Sequence, residues 1–379
     1  MLRVPSAGLG PRLTVDLAAL ARNFRALEQV STGALCGAVV KADAYGTGIV
    51  AAVESLYSAG ARFFFAATVD EGLAVRDTLP EAHIFILDGL YPGAAETYAT
   101  SRLMPCLSSL GMLEEWLQFC LARNEAVPAA LHFDTGMNRL GFRLGEADIV
   151  TGRISELGFA PQMVMSHLAC ADQPNHEMNR VQLALFQSVL THFPGIPASL
   201  SNSAGLMTMR DAHFQMVRPG IALYGGRAVS GRRNPMSRVM TLEAPILQVR
   251  DAKTGESVGY GATHTLARDS RIATLALGYA DGFLRSLSAS NTHPGGRVAI
   301  RGRVLPVLGR VSMDLTTVDI TDLGSQIPVP GEFAEIIGPN VSIDEQGDAA
   351  GTIGYEILTA MRQGRFQRRY VDGPEGGAL

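Results

Sequence analysis

Lys41 stands where a short apolar segment gives way to a loop, in the sequence AVVKADAYGTG at positions 38–48. The residues before it, at 35–40, have the composition of a buried parallel strand. An amine at the end of such a strand is only partly hydrated, which lowers its pKa and frees the neutral form that attacks an aldehyde. A lysine that ends a strand more often points into solvent. A Schiff-base role for Lys41 therefore depends on what else converges on it.

Other polar residues follow apolar segments elsewhere in the chain. Active sites of parallel (β/α) barrels lie at the carboxyl ends of the strands, so we expect these residues to meet at one mouth. They are Tyr45, Arg139 in HFDTGMNRLGF, His167 in MSHLACAD, Asn202 and Ser203 in SLSNSAGL, and Arg218 in MVRPGIALYGG. An amine, two arginines, a histidine and glycine-rich turns suit an anionic ring cofactor better than a metal.

Each of these residues also has a plainer interpretation. Arg139 could be a surface arginine in a turn, His167 a core histidine, and Ser203 a helix cap. No metal is expected, because ligand spacing is absent and the HEMNR segment at 176–180 ends in arginine and is not HExxH.

Strand-like and helix-like segments alternate over the first two thirds of the chain. Apolar segments at 63–67, 84–87, 103–107, 129–133, 163–167, 198–201 and 216–224 alternate with helical patterns such as 70–78, 110–123, 146–157 and 177–192. A first helix is expected at 14–30. Roughly eight such repeats predict a (β/α)8 TIM-like barrel at 12–240. A doubly wound sheet is the alternative, but GLGPRL at 8–13 lacks the last glycine of its phosphate loop.

The pattern changes after about Met240. Segments rich in β-branched residues at 241–250, 257–260, 271–279, 298–320 and 333–337 are separated by Gly, Pro and Asp, which predicts a mostly antiparallel β domain. One helix is expected at 352–361. We assign 241–379, together with 1–11, to this second domain.

The composition allows large hydrophobic cores, since 47% of the 379 residues are hydrophobic and 18% are charged. A net charge of -4 leaves no basic face, so no nucleic-acid partner is expected. Neither an export signal nor a membrane span is expected, because no long apolar run occurs. Four cysteines without a CxxC pair suit reduced thiols, which favours a cytoplasmic protein.

A set of motifs carries a resemblance to a known family. The motifs are KADAYG, DTGMNRLGF, SHLACAD, NSA, RPGIALYG, VGYGAT, GYADGF, GRVSMD and GTIGYEIL. In order and spacing the chain resembles the bacterial alanine racemases, which are pyridoxal-phosphate enzymes with a barrel and a C-terminal β domain. The resemblance covers essentially the whole chain.

The resemblance implies a role for each matching residue. Lys41 matches the lysine that forms the aldimine with pyridoxal 5'-phosphate, and Arg218 matches the arginine facing the pyridine nitrogen. Arg139 lies where the family binds the cofactor phenolate and the substrate carboxylate. The phosphate cradle is matched by Tyr45, Ser203, Gly220, Ile221 and Tyr355.

Racemisation needs a base on each face of Cα. The resemblance implies Lys41 for one face and Tyr260, supported by His167 and Arg218, for the other. In the family this tyrosine reaches the site of a partner subunit, so a homodimer is implied. Met313 matches the residue whose backbone N–H binds the substrate carboxylate. Tyr279 and Tyr355 match tyrosines at the entrance.

Three residues depart from the family pattern. His132 stands where many members have a carbamylated lysine; a protonated ring there would repel Arg139, so we expect His132 to be neutral or a bound anion to substitute. Asp43 replaces a more usual asparagine, and Gly354 replaces another. None of them is one of the two bases.

The function implied is the interconversion of L-alanine and D-alanine, which supplies D-alanine for peptidoglycan. Two alternatives remain open at this point. One is a racemase of another small amino acid such as serine, and the other is a pyridoxal-phosphate-binding protein without turnover.

Overall fold

Short apolar segments form the parallel strands of the first domain in the computed structural model, which describes residues 10–31 and 33–373. Their side chains are almost all buried, because helices cover the outside of the sheet. Seven of the strands pair in chain order into one curled sheet, and these are Ala38–Val39, Phe63–Ala66, His83–Ile86, Leu103–Leu107, Ala130–His132, Met163–Met165 and Ala198–Ser199.

Backbone hydrogen bonds join the two ends of this sheet. The strand Met216–Val217 pairs in parallel with Leu35–Cys36, just before the first strand of the sheet. On its other side, the Gln215 N–H donates to Ala198 O at 3.1 Å and the Arg218 N–H to Ser201 O at 2.9 Å. The parallel strands therefore form a barrel, as predicted.

Helices follow the strands and bury one face each against the barrel. Leu20, Phe24 and Leu27, at helical spacing, are fully or almost fully buried in the first of them. The helices of this domain are Leu17–Val30, Ile49–Ala59, Val69–Thr78, Ala95–Thr100, Leu110–Arg123, Ala147–Glu156, Glu177–Leu190 and Ser203–Thr208.

The start of the first helix is a correction to the sequence prediction. Arg12–Asp16 is a strand, in which Leu13 and Val15 alternate inward, and the helix begins only at Leu17. Asp16 is its N-cap, because its Oδ1 accepts the Ala19 N–H at 2.8 Å. The strand pairs within the sheet of the second domain.

The second domain is built on an eight-stranded sheet that is mostly antiparallel, as predicted. The exception is the pair Arg12–Asp16 and Gln367–Val371, which is parallel. In spatial order the strands are Ser270–Leu275, Thr316–Asp319, Arg303–Leu308, Arg297–Ile300, Phe333–Ile337, Met240–Ala252, Arg12–Asp16 and Gln367–Val371. Ser270–Leu275 also pairs with Met240–Ala252, which curls the sheet on itself.

Smaller elements complete this domain. A hairpin pairs Ser257–Val258 with His264–Thr265, and two helices span Ile343–Ala350 and Gly354–Ala360. The second helix is shorter than the expected 352–361, because Met361–Gln363 tightens into a 3-10 turn. The expected strand at 216–224 likewise ends at Val217, since Pro219 has no N–H to continue a ladder.

Within the described ranges, every helix is too short or too polar to cross a membrane. Residues 1–9 and 374–379, which are predicted to belong to the β domain, lie outside the described residues.

Candidate active site

A cavity of about 490 Å³ lies at the carboxyl ends of the barrel strands, where the helix Gly354–Ala360 of the β domain also borders it. This volume is in the range of small-molecule sites. The cavity brings together residues that are far apart in the sequence, as expected for a barrel mouth. Those among the predicted site residues that line it are Lys41, Tyr45, Arg139, His167, Asn202, Ser203, Arg218, Gly220, Ile221 and Tyr355.

Lys41 opens an unusual turn, Lys41–Tyr45, which we call the lysine turn. All four residues after the lysine have φ between 52° and 56°, the left-handed region that residues with side chains rarely adopt. Glu71 holds the start of this turn: its Oε1 accepts the Ala42 N–H at 2.6 Å and its Oε2 the Ala67 N–H at 2.9 Å. The strained backbone lets Lys41 and Tyr45 both face the cavity.

The environment of Lys41 favours its neutral amine. Burial lowers the pKa of Lys41, and the positive charge of Arg139 lowers it further, against smaller opposing contributions from Asp88 and Glu71. A neutral amine is the form that attacks a carbonyl carbon. The structure therefore places Lys41 inside the cavity, in surroundings that favour the neutral amine.

Ser203 anchors the backbone that follows Arg218. Its Oγ accepts the N–H of Gly220 at 2.8 Å and that of Ala222 at 3.3 Å. Among the described residues, the Ile221 N–H between them has no hydrogen-bond partner, although Ile221 borders the cavity. A free backbone N–H in a turn of this kind can bind an anion.

Tyr45 closes the same side of the cavity. Its ring stacks on Tyr224 with centroids 4.5 Å apart, and Tyr355 lies 6.0 Å away. The Tyr45 hydroxyl lies directly against Gly220, where a β-carbon would clash with it. Burial raises the pKa of Tyr45 well above its ordinary value and that of Tyr355 to about 12, so both hydroxyls stay protonated and can donate to an anion.

Arg218 is fixed at the cavity floor. Its side chain is buried and donates to Ser199 Oγ and, at 2.6 Å, to Ser166 O. Burial lowers the pKa of Arg218 to about 10, which still leaves the guanidinium charged at neutral pH. A planar cation in this position cannot give up its proton to a ligand.

Two histidines beside these cations are held neutral. Burial and the charges of Arg218 and Arg139 lower the pKa of His132 to about 4. The same causes, with burial again the largest, lower the pKa of His167 well below its ordinary value. His132 Nδ1 is buried and has no hydrogen-bond partner among the residues that the structure describes. The structure therefore supports the neutral form that was expected for His132.

Three predicted residues do not line the cavity of this chain. Tyr260 and Met313 are 70% and 54% exposed, and Tyr279 is 41% exposed. All three belong to the β domain, on the turns Tyr260–Ala262 and Tyr279–Asp281 and on the loop before the strand Thr316–Asp319. Among the described residues of one chain, nothing covers Tyr260.

Sequence reasoning did not identify the residues that support the site. Glu71 was part of a predicted helix, and Tyr224 was part of a predicted strand. Ser166 and Ser199, which hold Arg218, were small residues at strand ends without a distinctive spacing. One signal for a packed aromatic side chain was available. Tyr224 stands two residues before the end of the segment RPGIALYGG.

Comparison with known proteins identifies the family. Residues 15–228 match the alanine racemase N-terminal domain, and residues 239–370 match the alanine racemase C-terminal domain. The chain belongs to the alanine racemase family. The alanine racemase of Rhizobium meliloti is 47% identical over 369 residues, which cover 96% of this chain and 97% of that protein. The biosynthetic alanine racemase of Agrobacterium fabrum is 47% identical over 367 residues, covering 95% and 93%.

Solved structures agree with this assignment. Alanine racemase from Bartonella henselae, with covalently bound pyridoxal phosphate, superposes with a TM-score of 0.90 at 37% identity, covering 96% of this chain and 99% of that one. Biosynthetic alanine racemase from Pseudomonas aeruginosa has a TM-score of 0.88 at 34% identity, with the same coverage. Both the barrel and the β domain are therefore family features.

Proposed function

We propose that this protein interconverts L-alanine and D-alanine with pyridoxal phosphate as its cofactor, and that Lys41 carries the cofactor. The single observation behind the proposal is the position of Lys41: a partly buried amine of lowered pKa in a cavity lined by anion-binding groups. The family assignment supports the reaction. A racemase of serine or a binding protein without turnover has no observation in its favour.

The residues of the cavity fit this cofactor. The free Ile221 N–H and the hydroxyls of Tyr45, Ser203 and Tyr355 would hold the phosphate, and Arg218 would face the ring nitrogen. When bound, the cofactor makes the hydrogen on the substrate Cα acidic by withdrawing electrons. The Lys41 amine then takes or returns the proton on one face of Cα, with Arg139 binding the substrate carboxylate.

A second base is needed on the other face of Cα, and we assign it to Tyr260. Because Tyr260 is exposed and lies outside the cavity of its own chain, it would reach the cavity of a second copy. His167, kept neutral by burial and by the neighbouring cations, can accept a hydrogen bond from its hydroxyl there. Met313 would supply a backbone N–H to the substrate carboxylate, and Tyr279 would narrow the entrance. The assembly is then a homodimer with shared sites.

The proposal extends to biological role and organisation. The product D-alanine would serve peptidoglycan synthesis, as the biosynthetic relatives suggest by name. All four cysteines are unpaired, which favours a cytoplasmic location. We divide the chain into a barrel at 17–239 and a β domain at 240–371 that also includes the strand Arg12–Asp16.

Covalent labelling tests the role of Lys41 directly. The chain has only two lysines, Lys41 and Lys253, and the second lies on the β domain in an exposed ion pair with Asp269. Borohydride reduction of the holoenzyme should attach the cofactor mass to the peptide with Lys41. Lys41→Ala should abolish alanine racemisation in both directions, whereas Lys253→Ala should retain it. Cofactor mass on the Lys253 peptide would overturn the assignment.

Mixing of inactive chains tests the shared site. In a dimer of one Lys41→Ala chain and one Tyr260→Phe chain, one of the two sites has both bases intact. Statistical mixing should therefore restore about a quarter of the wild-type activity. If both bases came from one chain, mixing would restore nothing.

A further inference from the structure

Two loops of the β domain lie side by side and share backbone hydrogen bonds. The Tyr279 N–H donates to Ser312 O and the Ala280 N–H to Met313 O, each at 3.0 Å. A β-carbon at Gly278 would clash with Met313 O, so the loops approach this closely only with glycine there. Any movement of the turn at Tyr279 is thus transmitted to the peptide of Met313.

Arg365 connects both loops from outside. Its Nε donates to Asp281 Oδ1 at 2.6 Å, and its Nη2 donates to Asp281 Oδ2 at 3.0 Å and to Asp314 Oδ1 at 2.7 Å. Asp281 follows Tyr279 by two residues, and Asp314 follows Met313 directly. One guanidinium therefore spans the two loops, with the fork geometry that suits carboxylates.

The carboxylate of Asp281 makes this contact more than a surface ion pair. Its side chain is 3% exposed, and its Oδ2 also accepts the Gly278 N–H at 3.1 Å. Isolated exposed ion pairs contribute little, but a two-pronged contact to a buried carboxylate within a network is an exception. The hydrogen bonds to Asp281 and Asp314 raise the pKa of Arg365 above its ordinary range.

The backbone on either side of Arg365 is itself anchored. The helix Gly354–Ala360 and the turn Met361–Gln363 precede it, and the strand Gln367–Val371 follows. A β-carbon at Gly282 would clash with Ala360 O, so this segment also packs against the loop of Tyr279. Arg365 therefore joins the loops to a fixed part of the domain.

We propose that Arg365 is a positioning residue for substrate binding, because it fixes the Met313 peptide and the Tyr279 ring through Asp281 and Asp314. The inference rests on the proposed function, in which the Met313 N–H binds the substrate carboxylate. Arg365 does not touch the substrate. Its loss lets the two loops move and weakens carboxylate binding, while the chemistry at Lys41 continues.

Propanoate, which is alanine without its amino group, probes the carboxylate subsite alone. In Arg365→Met holoenzyme we expect the inhibition constant of propanoate and the KM for alanine to rise together by about tenfold, because one charge-assisted contact is weakened. The kcat should stay within about threefold of wild type. For Arg365→Lys, both constants should fall between those of the wild type and those of Arg365→Met. Arg362→Met, an exposed arginine three residues earlier, is the matched control and should bind propanoate like wild type.

Asp314→Asn keeps the proposal testable if Arg365→Met fails to fold. Asp314 is 53% exposed, so its replacement by Asn removes the negative charge from the 2.7 Å contact without disturbing the core. It should weaken propanoate binding in the same direction. Suppose that the wild-type enzyme is active and that propanoate inhibits the folded variants as strongly as the wild type. This result would overturn the role of Arg365 and leave the proposed function standing. A wild-type holoenzyme that neither racemises alanine nor binds propanoate would overturn both.

Discussion

The Asp43 carboxylate lies 3.3 Å from Nη1 of Arg368, so an ion pair joins the lysine turn to the last strand of the β domain. Arg368 also donates to Gly46 O at 3.1 Å, and the other Asp43 oxygen accepts the Ile49 N–H at 2.8 Å. Asp43 therefore has two separable roles. It pairs with a charge across the domain boundary, and it caps the helix Ile49–Ala59.

Replacing Asp43 separates these two roles. Asp43→Asn keeps an oxygen for the Ile49 N–H and loses the charge, so it should cost about 0.5 kcal/mol of stability. Asp43→Ala loses both and should cost about 1–2 kcal/mol. Urea unfolding measures both values, and a double-mutant cycle with Arg368→Met isolates the pair. Equal losses for the Asn and Ala variants would show that the cap contributes nothing.

Gly220→Ala should weaken cofactor binding. The added methyl group would push the Tyr45 hydroxyl away from the phosphate-binding turn. Overpacking of this kind costs about 1–3 kcal/mol, which is roughly five- to 150-fold in the dissociation constant. Titration of the apo-protein with pyridoxal phosphate measures it. Gly152→Ala is the matched control, because open space surrounds that helical glycine and no loss of affinity is expected there. Unchanged affinity in Gly220→Ala would contradict the proposed cradle.

Acid should destabilise the protein through His132. Its pKa is about 4 in the folded chain, below the ordinary 6.5. Between pH 6.5 and pH 4 the unfolded chain therefore binds a proton at this histidine that the folded chain does not bind. The free energy of unfolding falls as the pH falls through this range. The full shift corresponds to roughly 3 kcal/mol. His132→Gln should lose less stability than wild type between about pH 7.5 and pH 4.5, measured by urea unfolding. His293→Gln, at an exposed loop, should match wild type; an unchanged pH slope in His132→Gln would refute the neutral buried ring.

Tyr260→Phe should affect the two enantiomers differently. Removing the hydroxyl eliminates proton transfer on one face of Cα and leaves the Lys41 face intact. Exchange of the Cα hydrogen in deuterated water, followed by NMR, should then drop strongly for one enantiomer of alanine and much less for the other. Equal residual exchange for both enantiomers would count against two separate bases.

Local sequence patterns predicted most of the fold, because the signals that begin and end its helices and strands lie in residues close together in the chain. The helix Leu110–Arg123 has the predicted bounds, since Ser109 caps its start and Asn124 adopts the left-handed conformation at its end. Residues 14–16 of the strand Arg12–Asp16 were assigned to the first helix, which begins only at Leu17. The partners of this strand lie more than 200 residues away, at Met240–Ala252 and Gln367–Val371, and only pairing with them decides its conformation.

The candidate site divides in the same way. The sequence by itself determined the family, the residue types and the positions at strand ends, because barrel periodicity and short motifs depend on residues that are close together in the chain. Only the tertiary structure decided that Glu71 holds the lysine turn, that Ser203 binds the Gly220 N–H, and that Arg365 spans two loops. Burial and the approach of charges distant in the chain set these contacts and the pKa shifts at Lys41 and His132. Such terms depend on distances that no local pattern encodes.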